Sequence, residues 1–402
     1  MELFENWSQT KEALLMELPE RKKAYMGQIM ENTKHVLTET AAAGVSAAGA
    51  IGNFQKIIIP MIRRIIPGTI ATELVGIQPM AGPVSLAYSL RFLFSSNLDV
   101  PAAGAGVEDI IGGTTEVFGN NSKTKRWYSG AVDGSNVALG TAALTADFEA
   151  YGGRQLQLEV LRQTITAGSR KLQAKWTVEA MQDLSAQHGL DLEAEITAAL
   201  SAEIVSEIDN EIINDLIALA GTVETFDMNA GSFTGIPNYV GDRFAILGVL
   251  INKVANEIAR KTRRGAANWA VVSPQIASAL QSAAKSVFAP AVSGSFEGPN
   301  NTKLIGTLNG SIKIYTYIYH DQGVEPILLG YKGGNSEMDS GYFYCPYVPL
   351  MSSNVVIDPS TYNPQVSLMT RYGKATFTDT ATSLGNSADY YGRVNVANIS
   401  FI

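Results

Sequence analysis

The stretch Asp191–Ala220 constrains the chain more than any other. Ile196, Leu200, Ile204, Ile208, Ile212 and Leu216 recur every four residues. This spacing lays an apolar stripe along a helix and lets it drift slowly around the axis instead of forming a heptad seam. Asp191 is placed to cap the first turn. A helix of this length spans roughly 45 Å at 1.5 Å per residue, which predicts a spar crossing a broad, flat protein. Its other faces carry Glu193, Glu195, Glu203, Glu207, Asp209, Glu211 and Asp215, with no Lys or Arg in the span. Acids in the first turn suit the helix dipole, but Asp215 near the far end does not. No Glu–Lys pair at i,i+4 offsets the repulsion. Solvent accounts for any one of these acids. The set asks for a basic neighbour, from elsewhere in the chain or from another chain.

The residues leading into this helix predict two strands and a short helix. Gln155–Val160 alternates polar and apolar, Gly168-Ser169 supplies a turn, and Lys171–Val178 alternates again, so the pair reads as a hairpin. A short helical run follows and stops at Gly189.

Upstream, residues 1–52 form a polar, helix-prone arm. Pro19 interrupts its two amphipathic stretches, and small residues from Thr40 to Ala50 follow as a linker. Such an arm packs either on another chain or back on its own. Phe54–Pro67 predicts a buried helix ended by proline, and Glu73–Met80 and Val84–Phe94 predict strands, so residues 53–94 open the main body. From 95 to 153 the composition shifts to Gly, Ala, Ser and Thr, as in a long, projecting loop. Residues 154–221 hold the strands and the long helix. Residues 222–335 read as an inserted α/β unit, with helices at Asp242–Thr262 and Pro274–Ser286 and strands at Trp269–Ser273, Lys313–Tyr319 and Ile327–Tyr331. Residues 336–402 supply C-terminal strands expected to return to the main body.

Composition excludes several functions. A net charge of −8 argues against an outward nucleic-acid-binding surface. One cysteine rules out an internal disulfide and a cysteine zinc site, and fits a reducing compartment. The most apolar run, Ile57–Ile70, is broken by Pro60, Arg63, Arg64 and Pro67, so it is no membrane span. The N-terminus lacks the features of a signal peptide, and the chain reads as soluble and cytoplasmic in origin. The three histidines are scattered, Gly104–Asp109 only begins a dinucleotide fingerprint, and no phosphate loop, nucleophile elbow or HExxH is present. No catalytic site, metal or cofactor is expected, which favours a structural protein.

Three blocks then carry a resemblance: Pro60–Arg91 (PMIRRIIPGTIATELVGIQPMAGPVSLAYSLR), Thr164–Leu190 (TITAGSRKLQAKWTVEAMQDLSAQHGL) and Gly341–Tyr372 (GYFYCPYVPL through MTRYG). In order and spacing they are similar to the major capsid proteins of T-even-type tailed phages. The resemblance implies an α+β Hong Kong 97-like capsid fold with an N-terminal arm, an extended loop, a peripheral domain on a long spine helix and an axial domain. The T-even proteins are longer, and this chain lacks their additional inserted domain near the extended loop. A prohead protease of that family cuts after Glu in a Leu/Ile-x-Glu context. Leu37 and Glu39 make one such site, and Leu15–Glu17 and Ile29–Glu31 match as well.

The function implied is self-assembly, as hexamers and with pentamers left open, into the icosahedral head of a tailed phage. The head encloses DNA without reading its sequence and is built in the host bacterial cytoplasm. Portal, scaffold, vertex and decoration proteins are implied partners, and no membrane is. An encapsulin-type compartment holding a cargo enzyme is the alternative. For contacts between subunits, the basic residues Arg154, Arg162, Arg170, Lys171 and Lys175 are expected to meet Glu203, Glu207 and Glu211 of a neighbour's acidic helix.

Overall fold

The computed structural model describes residues 7–16, 20–42, 69–94, 98–100, 109–111, 145, 149, 156–189, 191–227, 240–262, 264–283, 288–290, 304–318, 324–334, 339–353, 355–377 and 386–398. In chain order these contain α1 (Trp7–Leu15), α2 (Glu20–Ala42), α3 (Ala71–Leu74), β1 (Gly76–Ile77), β2 (Val84–Phe94), β3 (Leu98–Val100) and β4 (Asp109–Ile111). Next come β5 (Leu156–Thr166), β6 (Gly168–Lys175), α4 (Val178–His188), α5 (Leu192–Leu219), β7 (Thr222–Asp227), α6 (Val240–Thr262), β8 (Trp269–Val272) and α7 (Pro274–Ser282). The remainder are β9 (Phe288–Pro290), β10 (Leu304–Leu308), β11 (Ile312–Thr316), β12 (Val324–Gly330), β13 (Tyr342–Ser352), β14 (Val356–Ile357), β15 (Pro364–Thr376) and β16 (Tyr391–Ala397). The fold is α+β. The expected buried helix at 54–67 and most of the 95–153 loop lie outside the described residues.

The long helix forms where its spacing places it. Asp191 accepts from Glu193 N at 3.0 Å as the N-cap. Ile204, Ile208, Ile212 and Leu216 are buried, joined by Val205 and Ile213 on the drifting stripe. Each such side chain taken fully out of water stabilises the fold by about 1.5–3 kcal/mol. Thr177 caps α4 through its hydroxyl, and Gly189 ends it at φ 62°, the left-handed conformation that favours glycine.

Two sheets flank this helix. One runs β7-β16-β12-β8-β11-β10-β9. Its central strand β8 is buried on both sides because both sides are covered. Trp269, Val271, Tyr315 and Leu328 join the core of α5, while Ala270, Val272, Ile314 and Leu329 face the core of α6 and α7. The other sheet runs β1-β13-β15-β14, with β6 also on β15.

Three expectations change. The hairpin is not formed: β5 pairs with β2 and β6 with β15. Alternation marks a strand without naming its partner. Only Ala167 separates the two strands, too little for a two-residue hairpin loop, and Ala167 N is tied to Pro83 O at 2.9 Å. Within Glu73–Met80 the first residues close the helical turn α3 and only β1 is strand. Finally, the C-terminal strands divide. β13 and β15 return to the sheet holding β6, but β16 enters the other sheet between β7 and β12. Val394 and Val396 drive this, since they are buried in the core of α6. Gly392 permits it, because a Cβ there would lie 2.5 Å from Val254 Cγ1.

The arm folds back on its own chain. Trp7 Nε1 donates to Glu31 at 3.1 Å and Lys11 pairs with Glu31 at 2.9 Å, holding α1 against α2. Tyr25, Met26, Ile29 and Met30 then enter the core that also holds Ile70, Leu74 and Tyr344. Asn32 Nδ2 donates to Met80 O at 2.7 Å and Tyr347 O at 3.2 Å. Tyr347 sits where the β13 ladder shifts register, so Asn32 serves a carbonyl near that irregularity.

Candidate functional site

The acids of α5 find their cations on the adjacent sheet. From β6, Arg170 Nη1 reaches Glu207 at 2.8 Å and Nη2 reaches Glu211 at 2.6 Å. From β15, Lys374 Nζ lies 2.8 Å from Glu211 and 2.6 Å from Asp215. The Tyr372 hydroxyl accepts from Arg170 Nε at 2.6 Å and donates to Glu211, while Tyr342 donates to Asp215 at 2.9 Å. Burial alone would raise the pKa of Glu211, but hydrogen bonds from Lys374, Tyr372 and Arg170 outweigh it and bring it down to about 2. Burial works against the Arg170 charge as well, yet its bonds to Glu211 and Tyr372 raise its pKa. The network is a staple between helix and sheet.

The residues expected to act between subunits are distributed unevenly. Arg170 meets Glu207 and Glu211 within one chain, the pairing expected across two. Lys175 pairs with Asp358 at 2.8 Å, also within the chain. Glu203, Arg162 and Lys171 are exposed and have no ion-pair partner among the described residues. Arg154 lies outside the described residues, and Leu37 and Glu39 fall in the last turns of α2. Lys374 was missed. It stands in the C-terminal block that carries the family resemblance, but nothing local to it signals a helix far back in the chain.

A second feature is the two-stranded ribbon of β2 and β5. Directly opposed residues of an antiparallel pair share a face. The register sets Val84, Leu86 and Tyr88 opposite Thr166, Thr164 and Arg162, and Val160, Leu158 and Leu156 opposite positions 90, 92 and 94. On this face Val84, Tyr88, Leu156, Leu158 and Val160 each leave 53–59% of their surface exposed. On the other face Ala87 and Ile165 are buried against Phe343, Cys345 and Ala375, which root the ribbon in the sheet. Burial there pushes the Cys345 thiol up to about 12.

A third feature is the turn after β14. Asp358 accepts from Ser360 N at 3.0 Å, Ser360 Oγ at 2.7 Å and Thr361 Oγ1 at 2.9 Å, besides its pair with Lys175. Lys175 and these donors hold its carboxyl well below the usual carboxylate range. The turn presents Tyr362 at φ 56°, 70% exposed, beside the exposed Val356 and Ile357.

Among the described residues no group of three or more His, Cys, Asp or Glu is placed to hold a metal ion, and no helix is long and apolar enough to cross a membrane. The basic run near the end of α6 is engaged: Arg260 pairs with Glu257 at 3.0 Å, Lys261 donates to Thr222 at 2.7 Å, and Arg264 pairs with Asp339.

The chain has relatives among known proteins. The chain is 27% identical to the major capsid protein of Vibrio phage KVP40, over 92% of this chain and 86% of that protein. It is 27% identical to the major capsid protein of Enterobacteria phage T4, over 84% and 78%. A solved chain from Mycobacterium phage Bobi covers 83% of this chain and 91% of its own length, with a TM-score of 0.47 and 12% identity. The family described as Major capsid protein Gp23 matches residues 51–396. With most of the sequence inside that match, the chain belongs to the Gp23 family of major capsid proteins.

Proposed function

We propose that this chain, as a major capsid protein of the tailed-phage virion, builds its shell from hexameric rings in the Hong Kong 97 manner. The structural observation that carries this is the exposed apolar face of the β2–β5 ribbon. A two-stranded ribbon with that much apolar surface in water is unfavourable alone and calls for a covering surface. In a shell of identical subunits that surface is another copy, and rotational symmetry closes the ring. Tyr362, Val356 and Ile357 offer a second apolar patch for the same purpose. The function is physical and not enzymatic.

The unpaired charges refine the reading. Glu203, Arg162 and Lys171, without an ion-pair partner among the described residues, are the residues to pair across subunits. An acidic balance on the inner wall also keeps packaged DNA from being gripped. Portal, scaffold and vertex or decoration proteins are the partners this assembly implies. Cleavage after Glu39 would require the end of α2 to unwind. The encapsulin-type alternative is less favoured, because the matching family and relatives are phage capsid proteins.

Negative-stain electron microscopy of the chain, expressed alone and with its neighbouring head genes, tests the proposal. Shells, sheets or tubes of six-fold rings are expected. The double variant Leu158→Asp, Val160→Asp should keep the subunit's circular dichroism and lose those assemblies. Persistent monomers of the unaltered chain under both conditions, or normal assembly of the variant, would count against it. Mass spectrometry of shell subunits reads the arm: a chain starting at Thr40 supports the Glu39 site, and an intact N-terminus removes it.

A further inference from the structure

A pocket of about 240 Å³ lies apart from the helix staple, where the arm meets the seven-stranded sheet. Lysines from three separate segments line it: Lys22 on α2, Lys313 on β11 and Lys332 after β12. A single carboxylate, Glu73 on α3, lines it with them. Lys22 pairs with Glu73 at 3.3 Å, and Lys332 Nζ donates to Thr72 O at 2.8 Å. The Tyr315 hydroxyl also bonds to Glu73, so that carboxylate is already shared. Lys313 is exposed and has no acidic partner among the described residues. Among the described residues that line the pocket, three ammonium groups stand with one carboxylate. This stands out on a chain whose formal net charge is −8.

An aromatic side chain also borders the pocket. Trp269 lines the same pocket, is 2% exposed, and its indole N–H has no acceptor among the described residues. An indole N–H can only donate, and burying it unpaired is unfavourable. The lining is therefore rich in ammonium donors.

We infer that this pocket binds a phosphate-class oxyanion and that the arm completes the site. A concave surface of one sign focuses potential and concentrates counter-ions. Lysine ammonium groups hold phosphate oxygens as point charges, without the fixed geometry that a guanidinium demands. Because Lys22 comes from α2, the anion is held more tightly while the arm is docked. Whatever the docked arm adds to anion affinity, the anion returns as affinity for the docked arm. The oxyanion can arrive as a free phosphate compound or as a phosphate of a DNA strand, since both present the same atoms.

The experiment uses the full chain, unassembled, at constant ionic strength. Inorganic phosphate, pyrophosphate or a short DNA duplex is titrated in place of chloride, and hydrogen exchange is read for the amides of 20–42. Saturable slowing of exchange in α2 is expected. Lys313→Gln and Lys22→Gln should each weaken the apparent affinity on the order of tenfold, as loss of one charge-assisted hydrogen bond does. Lys253→Gln, at the distant pair with Glu224, should leave it unchanged. Protection by pyrophosphate or phosphate identifies the free source, and protection by the duplex alone identifies DNA. The inference is overturned by three results: no saturable protection from any of the three, equal protection from acetate, or undiminished protection in the Lys313→Gln variant. Lys313 is exposed and unpaired, so this last variant is not expected to disturb folding.

Discussion

The carboxyl group of Asp209 accepts the backbone N–H of Ile70 at 3.0 Å, joining the middle of the long helix to the turn that opens the main body. Its second oxygen is buried and has no partner among the described residues. Burial raises the pKa well above the ordinary carboxylate value, and the Ile70 hydrogen bond only partly opposes this. The folded state therefore keeps a proton that the unfolded state gives up near pH 4. The contribution to stability is full below about pH 4 and is lost as pH rises toward the folded value. Asp209→Asn keeps the acceptor and removes the titration. The urea midpoint of the wild-type subunit should fall relative to this variant as pH rises above about 4, and parallel midpoints would show that Asp209 holds no proton. Asp209→Ala, which strands the Ile70 amide, should cost about 1–3 kcal/mol.

Glu211 behaves oppositely. Its folded pKa of about 2 lies below the unfolded value. Its stabilisation is present above about pH 4.3 and is lost as pH falls through about 2. Glu211→Gln should flatten acid unfolding across that window, followed by circular dichroism. At neutral pH it should cost about 1–2 kcal/mol, a charged hydrogen-bond value discounted for partial exposure. An unchanged acid limb would mean that the staple contributes nothing in solution.

Asn32 and Met26 test the arm. Asn32→Ala leaves the Met80 and Tyr347 carbonyls without their donor and should cost about 1–2 kcal/mol. Met26→Ala, in a fully buried site, should cost about 2–5 kcal/mol. Both should speed proteolysis within 20–42 before the rest of the chain is cut. If cleavage there is as slow as in the wild type, the arm is not held by these contacts.

Two glycines make a paired prediction. A Cβ at Gly221 would lie 2.6 Å from the Ala388 carbonyl oxygen, a backbone atom with little room to give. Gly221→Ala should therefore destabilise by about 1–3 kcal/mol. Gly248, inside α6, has nothing within 4 Å of that position. Gly248→Ala should stabilise by roughly 0.5–1 kcal/mol through helix propensity. Thermal melts of the two variants moving the same way would contradict the packing at one of them.

What could be read in advance follows the range of the forces involved. The long helix, its Asp191 cap and the Gly189 stop rest on residues a few positions apart, and the observed elements fall within a residue of those signals. Strand pairing does not rest on local signals: β5 and β6 alternate convincingly, yet each joins a strand far away. The demand for cations on the acidic helix was visible in the missing Lys and Arg. Their source was only half visible, since Arg170 was named and Lys374, more than 150 residues beyond the helix, was not. The arm's stripe of Tyr25, Met26, Ile29 and Met30 announces a buried face without saying whose surface it meets.

β16 lies between β7, which directly follows the long helix, and β12. Residues 391–397 must therefore leave the ribosome before that sheet can close, however early the rest of it is made. Without them the facing edges of β7 and β12 lack their ladder partner. The topology thus ties closure of the sheet beside the long helix to a strand far along the chain, so that two distant segments must both be made before either is fully paired.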